Sequence, residues 1–266
     1  MINIIKSLNY SARRDTVIWI TIITLLILPL FILYISGMIN PDLGSDFTSS
    51  IYFASNQSGT VFTFLSFGIM IFACKLMAGD AGDKTINYEF MAGHSRKRIF
   101  IGRTIAAFLW GAVLVFILMI LPFGYLTIIY GWGPETNMNE VLFRCFLTLF
   151  PIIRFTALTM MIASISRSAG KGIALSYALY MVIVMAASVI QDVFEKDLVY
   201  PFSMTNAATL LTTTNSRNVV IDGKTITIFD TAVPGDMIWK TISVSLVCAV
   251  IYLIIAYINF IKTDRD

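Results

Sequence analysis

The sequence predicts an all-α integral membrane protein with six transmembrane helices, an N-terminal interfacial helix, a cytoplasmic helical segment and a small extracellular β-hairpin loop. Of its 266 residues, 57% are hydrophobic and only 13% are charged, and the mean hydropathy is +0.80. A soluble domain of this length could not bury so much apolar surface. Six apolar runs approach or exceed the roughly 20 residues that cross a bilayer. They are 17–38, 61–77, 105–130, 141–166, 172–191 and 237–261. We therefore expect residues 1–266 to form a single six-helix transmembrane domain.

The distribution of basic residues predicts the topology. Most of the 19 Lys and Arg residues precede the first run, lie between the second and third or the fourth and fifth, or end the chain. The positive-inside bias then places both termini in the cytoplasm. The first apolar run is too long for a signal peptide and is not followed by a cleavage site, so we expect it to be retained. The net charge of +3 thus reflects topology and does not indicate nucleic-acid binding.

Residues 1–15 are predicted to form an amphipathic helix at the cytoplasmic interface. Ile4, Ile5, Leu8 and Ala12 recur at helical spacing, and polar residues occupy the other face. The helix either anchors the chain to the membrane or contacts a partner.

Residues 80–100 are predicted to form a cytoplasmic elbow between the second and third spans. Asp80 can cap a short helix that ends at Gly93, and Ser95 can cap a second helix that continues into the third span. The alternative is an ordinary basic loop that follows the positive-inside rule. His94 has no cysteine, serine or carboxylate partner in a recognisable arrangement, so it is not predicted to be catalytic.

This architecture resembles the permease subunit of a type-2 ATP-binding-cassette (ABC) exporter, of the small stand-alone bacteriocin, lantibiotic or bacitracin type. The loop residues that carry the resemblance are Thr85, Ile86, Ser95, Arg96 and Arg103. The loop departs from the usual family pattern at Lys84, Gly93 and His94, where glycine and proline are common, and at Arg103, where lysine is.

The resemblance implies that the elbow contains a coupling helix that docks on an ATPase subunit. The implied ATPase-docking residues are Asp80, Asp83, Thr85, Tyr88, Glu89, His94, Ser95, Arg96, Lys97 and Arg98. No phosphate-binding Gly-x-x-x-x-Gly-Lys-Ser/Thr motif occurs in the sequence. We therefore expect ATP and Mg²⁺ to be bound by two copies of a separate ATPase, and no catalytic residue, cofactor or metal ion in this chain. The cysteines Cys74, Cys145 and Cys248 lie within or at the ends of apolar runs without metal-ligand spacing.

A second permease, identical or related, is also implied. In the predicted fifth span a stripe of mainly small residues recurs at every fourth position: Gly170, Ala174, Ala178, Val182 and Ala186. Such a stripe lets another helix approach closely. Because the first and fifth spans line the dimer seam in the family, we expect this stripe at the dimer interface. Packing within the same subunit is the alternative.

Two arginines fall in the predicted fourth span. Arg144 is near its outer end and is expected to reach the lipid headgroups. Arg154 is close to the middle, where a charge costs about 3 kcal/mol. We expect Arg154 either on the substrate pathway, at a lipid phosphate, or in a wet crevice where Pro151 breaks the helix.

The predicted extracellular loop, residues 192–236, contains two β-rich runs joined by Asp222 and Gly223, which predicts a hairpin. It would cover the outer helix ends or bind a ligand. The family resemblance implies export of a hydrophobic or amphipathic substrate, an antimicrobial peptide, across a bacterial cell membrane. Export of a drug, lipid or ion, or a receptor or anchor role, are the alternatives. An intramembrane enzyme is not predicted, since the six runs contain no Asp or Glu.

Overall fold

The computed structural model of the chain is mostly helical and describes residues 2–39, 48–54, 57–79, 91, 93–194, 210–211, 216–221 and 224–262. Its helices are α1 (Ile2–Arg14), α2 (Thr16–Ile39), α3 (Ser49–Ala54), α4 (Gln57–Cys74), α5 (Arg96–Val115), α6 (Leu121–Tyr130), α7 (Met138–Leu147), α8 (Leu149–Ser166), α9 (Ala169–Phe194) and α10 (Gly235–Lys262). Two π-helical turns, Lys75–Gly79 and Phe116–Ile120, continue α4 and α5. The strands β1 (Ser216–Ile221) and β2 (Lys224–Phe229) form a two-stranded antiparallel sheet.

Within these described residues, three helical stretches are long and apolar enough to cross a membrane. They are Arg96–Tyr130, Met138–Ser166 and Gly235–Lys262. Shorter apolar helices occupy Thr16–Ile27, Phe64–Ala78 and Ala169–Ile183. These segments overlap the apolar runs predicted from the sequence. A helical membrane protein is therefore confirmed, and the count of six spans stays a prediction.

The helix α8 is the centre of the bundle. It packs against α4, α5, α9 and α10, and most of its residues are buried. Its hydroxyl groups are satisfied within the helix: Thr156 Oγ1 donates to the Ile152 carbonyl at 2.8 Å and Thr159 Oγ1 to the Phe155 carbonyl at 2.9 Å. Because these side chains are small and their polar groups are already bonded, neighbouring helices can approach α8 closely.

The predicted fourth span is interrupted at Thr148, between α7 and α8. Pro151 follows three residues later and has no N–H to donate to the Leu147 carbonyl. One bond of the helical ladder is therefore missing here, whereas the Thr148 N–H still donates to the Arg144 carbonyl at 3.1 Å and the Ile152 N–H to the Thr148 carbonyl at 3.2 Å. The boundary between α7 and α8 thus lies close to Pro151, where the sequence predicts a break.

The helix α1 confirms the predicted amphipathic pattern, and its apolar face packs on protein. Ile4, Leu8 and Ala12 are 2%, 5% and 3% exposed, whereas Lys6 is exposed. A buried cluster, called here the N-terminal cluster, joins α1 to α5, α8, α10 and the first π-helical turn. Its members include Ile4, Leu8, Leu76, Met77, Ala78, Ile99, Phe100, Met160, Ala256 and Phe260. A Cβ at Gly102 would lie only 2.9 Å from Ile4 Cγ2, so glycine permits the close approach of α1 to α5.

The β-hairpin is confirmed, with Ser216 paired to Phe229 and Ile221 to Lys224. Its predicted Asp222-Gly223 turn lies outside the described residues. The base of the hairpin is attached to the segment before α7, because the Phe229 N–H donates to the Glu135 carbonyl at 2.8 Å.

The expectation that Arg144 reaches the lipid headgroups is wrong. Its side chain is only 6% exposed, and its guanidinium donates to three backbone carbonyls of the outer loop. Nε bonds Thr231 O at 2.6 Å, Nη2 bonds Ala232 O at 3.1 Å and Nη1 bonds Leu210 O at 3.2 Å. These three carbonyls occupy the donors of the buried guanidinium in place of headgroup oxygens. Arg144 thereby fixes the outer loop to α7.

We expect Arg144→Gln to release the outer loop. Hydrogen bonds to a charged group contribute about 1.5–3 kcal/mol each, so their loss should favour local opening by tenfold or more. The measurement is the rate of trypsin cleavage after Arg217, an exposed residue of β1, in the membrane-embedded protein. The control is Lys240→Gln, whose ion pair with Asp236 is solvent-exposed. Equal cleavage rates in the Arg144 variant and the wild type would contradict this role.

Candidate functional site

The proposed docking residues fall into two groups according to what the structure describes. Asp80, Asp83, Thr85, Tyr88 and Glu89 lie outside the described residues, as does the helix predicted to begin at Asp80. The second group, which the structure describes, consists of His94, Ser95, Arg96, Lys97 and Arg98. The described part of the proposed site is therefore its second half, at the start of α5.

The start of α5 is fixed by the two residues that the sequence singled out. Gly93 has a φ of +78°, a conformation that a residue with a Cβ adopts only with strain. Ser95 is the N-cap of α5, with extended backbone (φ −69°, ψ 147°), and its side chain accepts from the Arg98 N–H at 3.4 Å. The predicted restart at Ser95 is thus confirmed. The cap determines where the basic side chains that follow are placed.

Three cations occupy the first turn of α5: Arg96, Lys97 and Arg98. The N-terminus of a helix carries a partial positive charge, so acidic side chains stabilise it and basic ones oppose it. The first turn of α5 contains no acidic residue. The basic residues therefore do not stabilise the start of the helix. Their position is explained either by the positive-inside rule or by an acidic surface on a partner.

Arg96 differs from Lys97 and Arg98 in its burial and in its contacts. Arg96 is half-buried, and its Nη1 donates to the Ile261 carbonyl in the last turn of α10 at 2.8 Å. A cation is favoured at that position because the C-terminus of a helix carries a partial negative charge. Lys97 and Arg98 are exposed. Arg96 thus ties α5 to α10, whereas Lys97 and Arg98 are presented to the surroundings.

Two polar contacts hold the helices on either side of this segment. The Lys75 Nζ bonds the carboxylate of Asp15, which lies between α1 and α2. The Arg103 side chain is fully buried, and its Nη1 donates to the Leu76 carbonyl at 2.8 Å. Sequence reasoning missed Asp15. The sequence feature that indicates Asp15 is an acidic residue that directly follows basic residues and precedes an apolar run.

The stripe on α9 faces away from the helices that the structure describes around it. Its five members, Gly170, Ala174, Ala178, Val182 and Ala186, are all exposed. The buried face of the same helix is formed by Gly172, Ser176 and Tyr180, which are also spaced at every fourth position. A Cβ at Gly172 would lie 3.2 Å from Cys74 Sγ, so this face packs closely within the chain.

Arg154 lies inside the bundle, on α8, and is 2% exposed. The helix α8, which carries Arg154, packs against α10. Among the residues that the structure describes, no three His, Cys, Asp or Glu side chains gather in a way that could hold a metal ion.

Comparison with known proteins identifies the family. A family model described as "ABC-2 family transporter protein" matches residues 3–265, which is nearly the whole chain. Neither the curated proteins nor the solved structures gave a match. The apolar helices of the structure agree with a membrane location for a member of this family. Such a protein is the membrane component of an ABC transporter and works with an ABC ATPase. The chain belongs to the ABC-2 transporter family, as a permease subunit.

Proposed function

We propose that this permease exports a hydrophobic or amphipathic substrate, an antimicrobial peptide, across the bacterial cell membrane. Two copies of a separate ATPase, which bind ATP and Mg²⁺, would supply the energy. The observation that carries the proposal is the family match over residues 3–265. The peptide substrate is favoured by the resemblance to small permeases of the bacteriocin, lantibiotic and bacitracin type.

The proposed orientation has both termini and the start of α5 in the cytoplasm. The basic residues support it, because Lys6, Arg13, Lys97 and Arg98 are exposed near the same ends of the bundle, where α1 packs on α5. The hairpin bonds the segment between α6 and α7, and this segment follows the far end of the helical stretch Arg96–Tyr130 that begins with α5. This orientation puts the hairpin outside the cell.

The ATPase is proposed to dock on residues 80–98, called here the docking segment. Lys97 and Arg98 are exposed, and they oppose the dipole of α5. A groove with acidic side chains on the ATPase would compensate for that unfavourable arrangement. Arg96 contributes differently, because its guanidinium already bonds the end of α10.

We expect the double charge reversal Lys97→Glu with Arg98→Glu to reduce the amount of ATPase that copurifies with the chain by tenfold or more. The same substitution should not weaken α5, because acidic residues in the first turn add about 0.3–1 kcal/mol each to helix stability. The control is Lys6→Glu with Arg13→Glu, the same charge change on exposed residues of α1. The experiment uses an ATPase whose gene lies next to the gene of this chain.

The same strains test the substrate. Expressing the wild-type chain with the ATPase in a sensitive bacterium should raise the minimum inhibitory concentration of a lantibiotic or bacitracin. The double reversal on α5 should abolish this resistance, and the control reversal on α1 should leave it. Resistance to a small drug or sodium ion instead of the peptides would favour an alternative substrate.

For the docking site, the contradicting outcome is an α5 variant that copurifies as much ATPase as the wild type does.

A second permease is proposed to pack against the stripe on α9. All five stripe residues are exposed, and four of them are glycine or alanine, which permit close helix approach. The opposite face of α9, at Gly172, Ser176 and Tyr180, is already packed within the chain. This arrangement supports the stripe as the contact between two permeases.

We expect Ala178→Cys to form a disulfide between two copies of the chain in the copurified complex. Leu175→Cys is the control, because Leu175 is 50% exposed on the same helix but lies outside the stripe. Non-reducing electrophoresis after mild oxidation measures the product. Crosslinking at Leu175 with none at Ala178 would place the interface elsewhere on α9.

Arg154 is proposed to provide a polar point on the substrate pathway. It is buried on α8, which packs against α10, so the pathway would have to open between these helices for a substrate to reach it. We expect Arg154→Ala to lower peptide resistance to the level of cells without the permease, while the ATPase still copurifies. Arg154→Lys, which keeps the charge, should restore part of the resistance. Full resistance in the alanine variant would leave Arg154 with a structural role only.

A further inference from the structure

We propose that the π-helical turn Lys75–Gly79 is the joint that passes movement of the docking segment to the membrane helices, with Arg103 and the Asp15–Lys75 ion pair as its positioning contacts. The inference rests on the proposed function, because it assumes an ATPase that moves the docking segment. The turn ends directly before residue 80, where that segment begins, and Arg103 lies just after its end. None of these three side chains belongs to the proposed docking surface.

Arg103 joins the two helices that flank the docking segment. It belongs to α5, and its Nη1 donates to the carbonyl of Leu76 in the π-helical turn at 2.8 Å. A π-helical turn is wider than an α-helical one, so its carbonyls depart from the regular α-helical ladder and a side-chain donor can reach them. The bond is charge-assisted and the guanidinium is fully buried, so it is a strong contact. The start of α5 therefore cannot slide past the turn without breaking it.

The Asp15–Lys75 ion pair holds the other side of the turn. Lys75 is the first residue of the turn, and Asp15 lies at the junction of α1 and α2. Asp15 Oδ1 also accepts from the Val17 N–H at 2.8 Å, so one carboxylate caps α2 and bonds the turn. Partial burial raises the pKa of Asp15, but hydrogen bonds from Lys75 and the backbone lower this pKa by more. The carboxylate is therefore charged at neutral pH.

The turn is packed so tightly that any change of its shape must displace other helices. Leu76, Met77 and Ala78 are 5%, 0% and 1% exposed and belong to the N-terminal cluster. The turn contacts α5, α8 and α9. Converting a π-helical turn to an α-helical one removes one residue from it, which rotates the chain that follows by about 100° and moves it by about 1.5 Å. Because protein interiors are close-packed, the neighbouring helices must move with it.

The test uses the complex of this chain with its ATPase in lipid nanodiscs. Spin labels are attached at Ser11→Cys in α1 and Lys171→Cys in α9, both exposed positions. Cys248 is replaced by serine, and the other two native cysteines are buried. The distance between the labels is measured without nucleotide and after trapping with ATP and vanadate. The variants are Asp15→Asn, Arg103→Met and Arg103→Lys.

Asp15→Asn is the most informative variant, because an asparagine oxygen can still accept from Val17 while the ion pair with Lys75 is lost. Its matched control is Asp236→Asn, which removes the exposed Lys240–Asp236 ion pair at the other end of α10. We expect trapping to shift the label distance equally in the wild type and the control. The shift should fall by at least half in Asp15→Asn and Arg103→Met, and recover in part in Arg103→Lys. The amount of copurified ATPase should stay at the wild-type level.

A full nucleotide-dependent shift in Asp15→Asn and Arg103→Met would overturn the inference, even if their melting temperatures fall, because a purely structural role alters stability without altering the shift. If Arg103→Met does not fold, Asp15→Asn decides, since the Asp15 and Lys75 side chains are 28% and 27% exposed and tolerate substitution better. Failure of the wild type to bind an ATPase would overturn the proposed function and this inference together. A wild-type shift that all variants retain would overturn this inference alone.

Discussion

The fold depends on how the buried guanidinium groups of a largely apolar chain find hydrogen-bond acceptors. Arg103, Arg154 and Arg144 are 0%, 2% and 6% exposed, each at a different position along the bundle. Removing a charged group from water costs several kcal/mol, so protein groups must replace the water around it. Arg103 uses the carbonyl of Leu76, and Arg144 uses three carbonyls of the outer loop. These bonds decide which segments meet: α5 with the end of α4, and α7 with the loop before α10.

The helices and the hairpin could be predicted because their signals are local. Length and apolarity are sufficient to recognise membrane helices, and an Asp-Gly pair between β-branched residues is sufficient for a hairpin. The partners of Arg144 could not be predicted, because they lie 66 to 88 positions further along the chain. A pattern near a helix end does not reveal whether headgroups or protein carbonyls are closer. Asp15 was missed for the same reason, since Lys75 is 60 positions away.

The candidate site shows the same division between local and distant information. The cap at Ser95 and the basic turn after it follow from neighbouring residues and agree with the structure. The different role of Arg96 does not, because its acceptor, the Ile261 carbonyl, is 165 positions away. On α9 the spacing of small residues could be recognised, but only the packing of Gly172, Ser176 and Tyr180 shows which face is buried.

The attachment of the hairpin to α7 means that a reagent bound outside the cell can act on the helices inside the membrane. In the proposed orientation β1 and β2 are reachable from the medium, and β1 is mostly exposed. Arg144 connects the loop to α7, which runs into α8 at the centre of the bundle. An antibody fragment bound to the hairpin would therefore restrain α7, and through it α8, from outside the cell. Such a reagent could hold the transporter in one conformation for imaging, or block it, without having to cross the membrane.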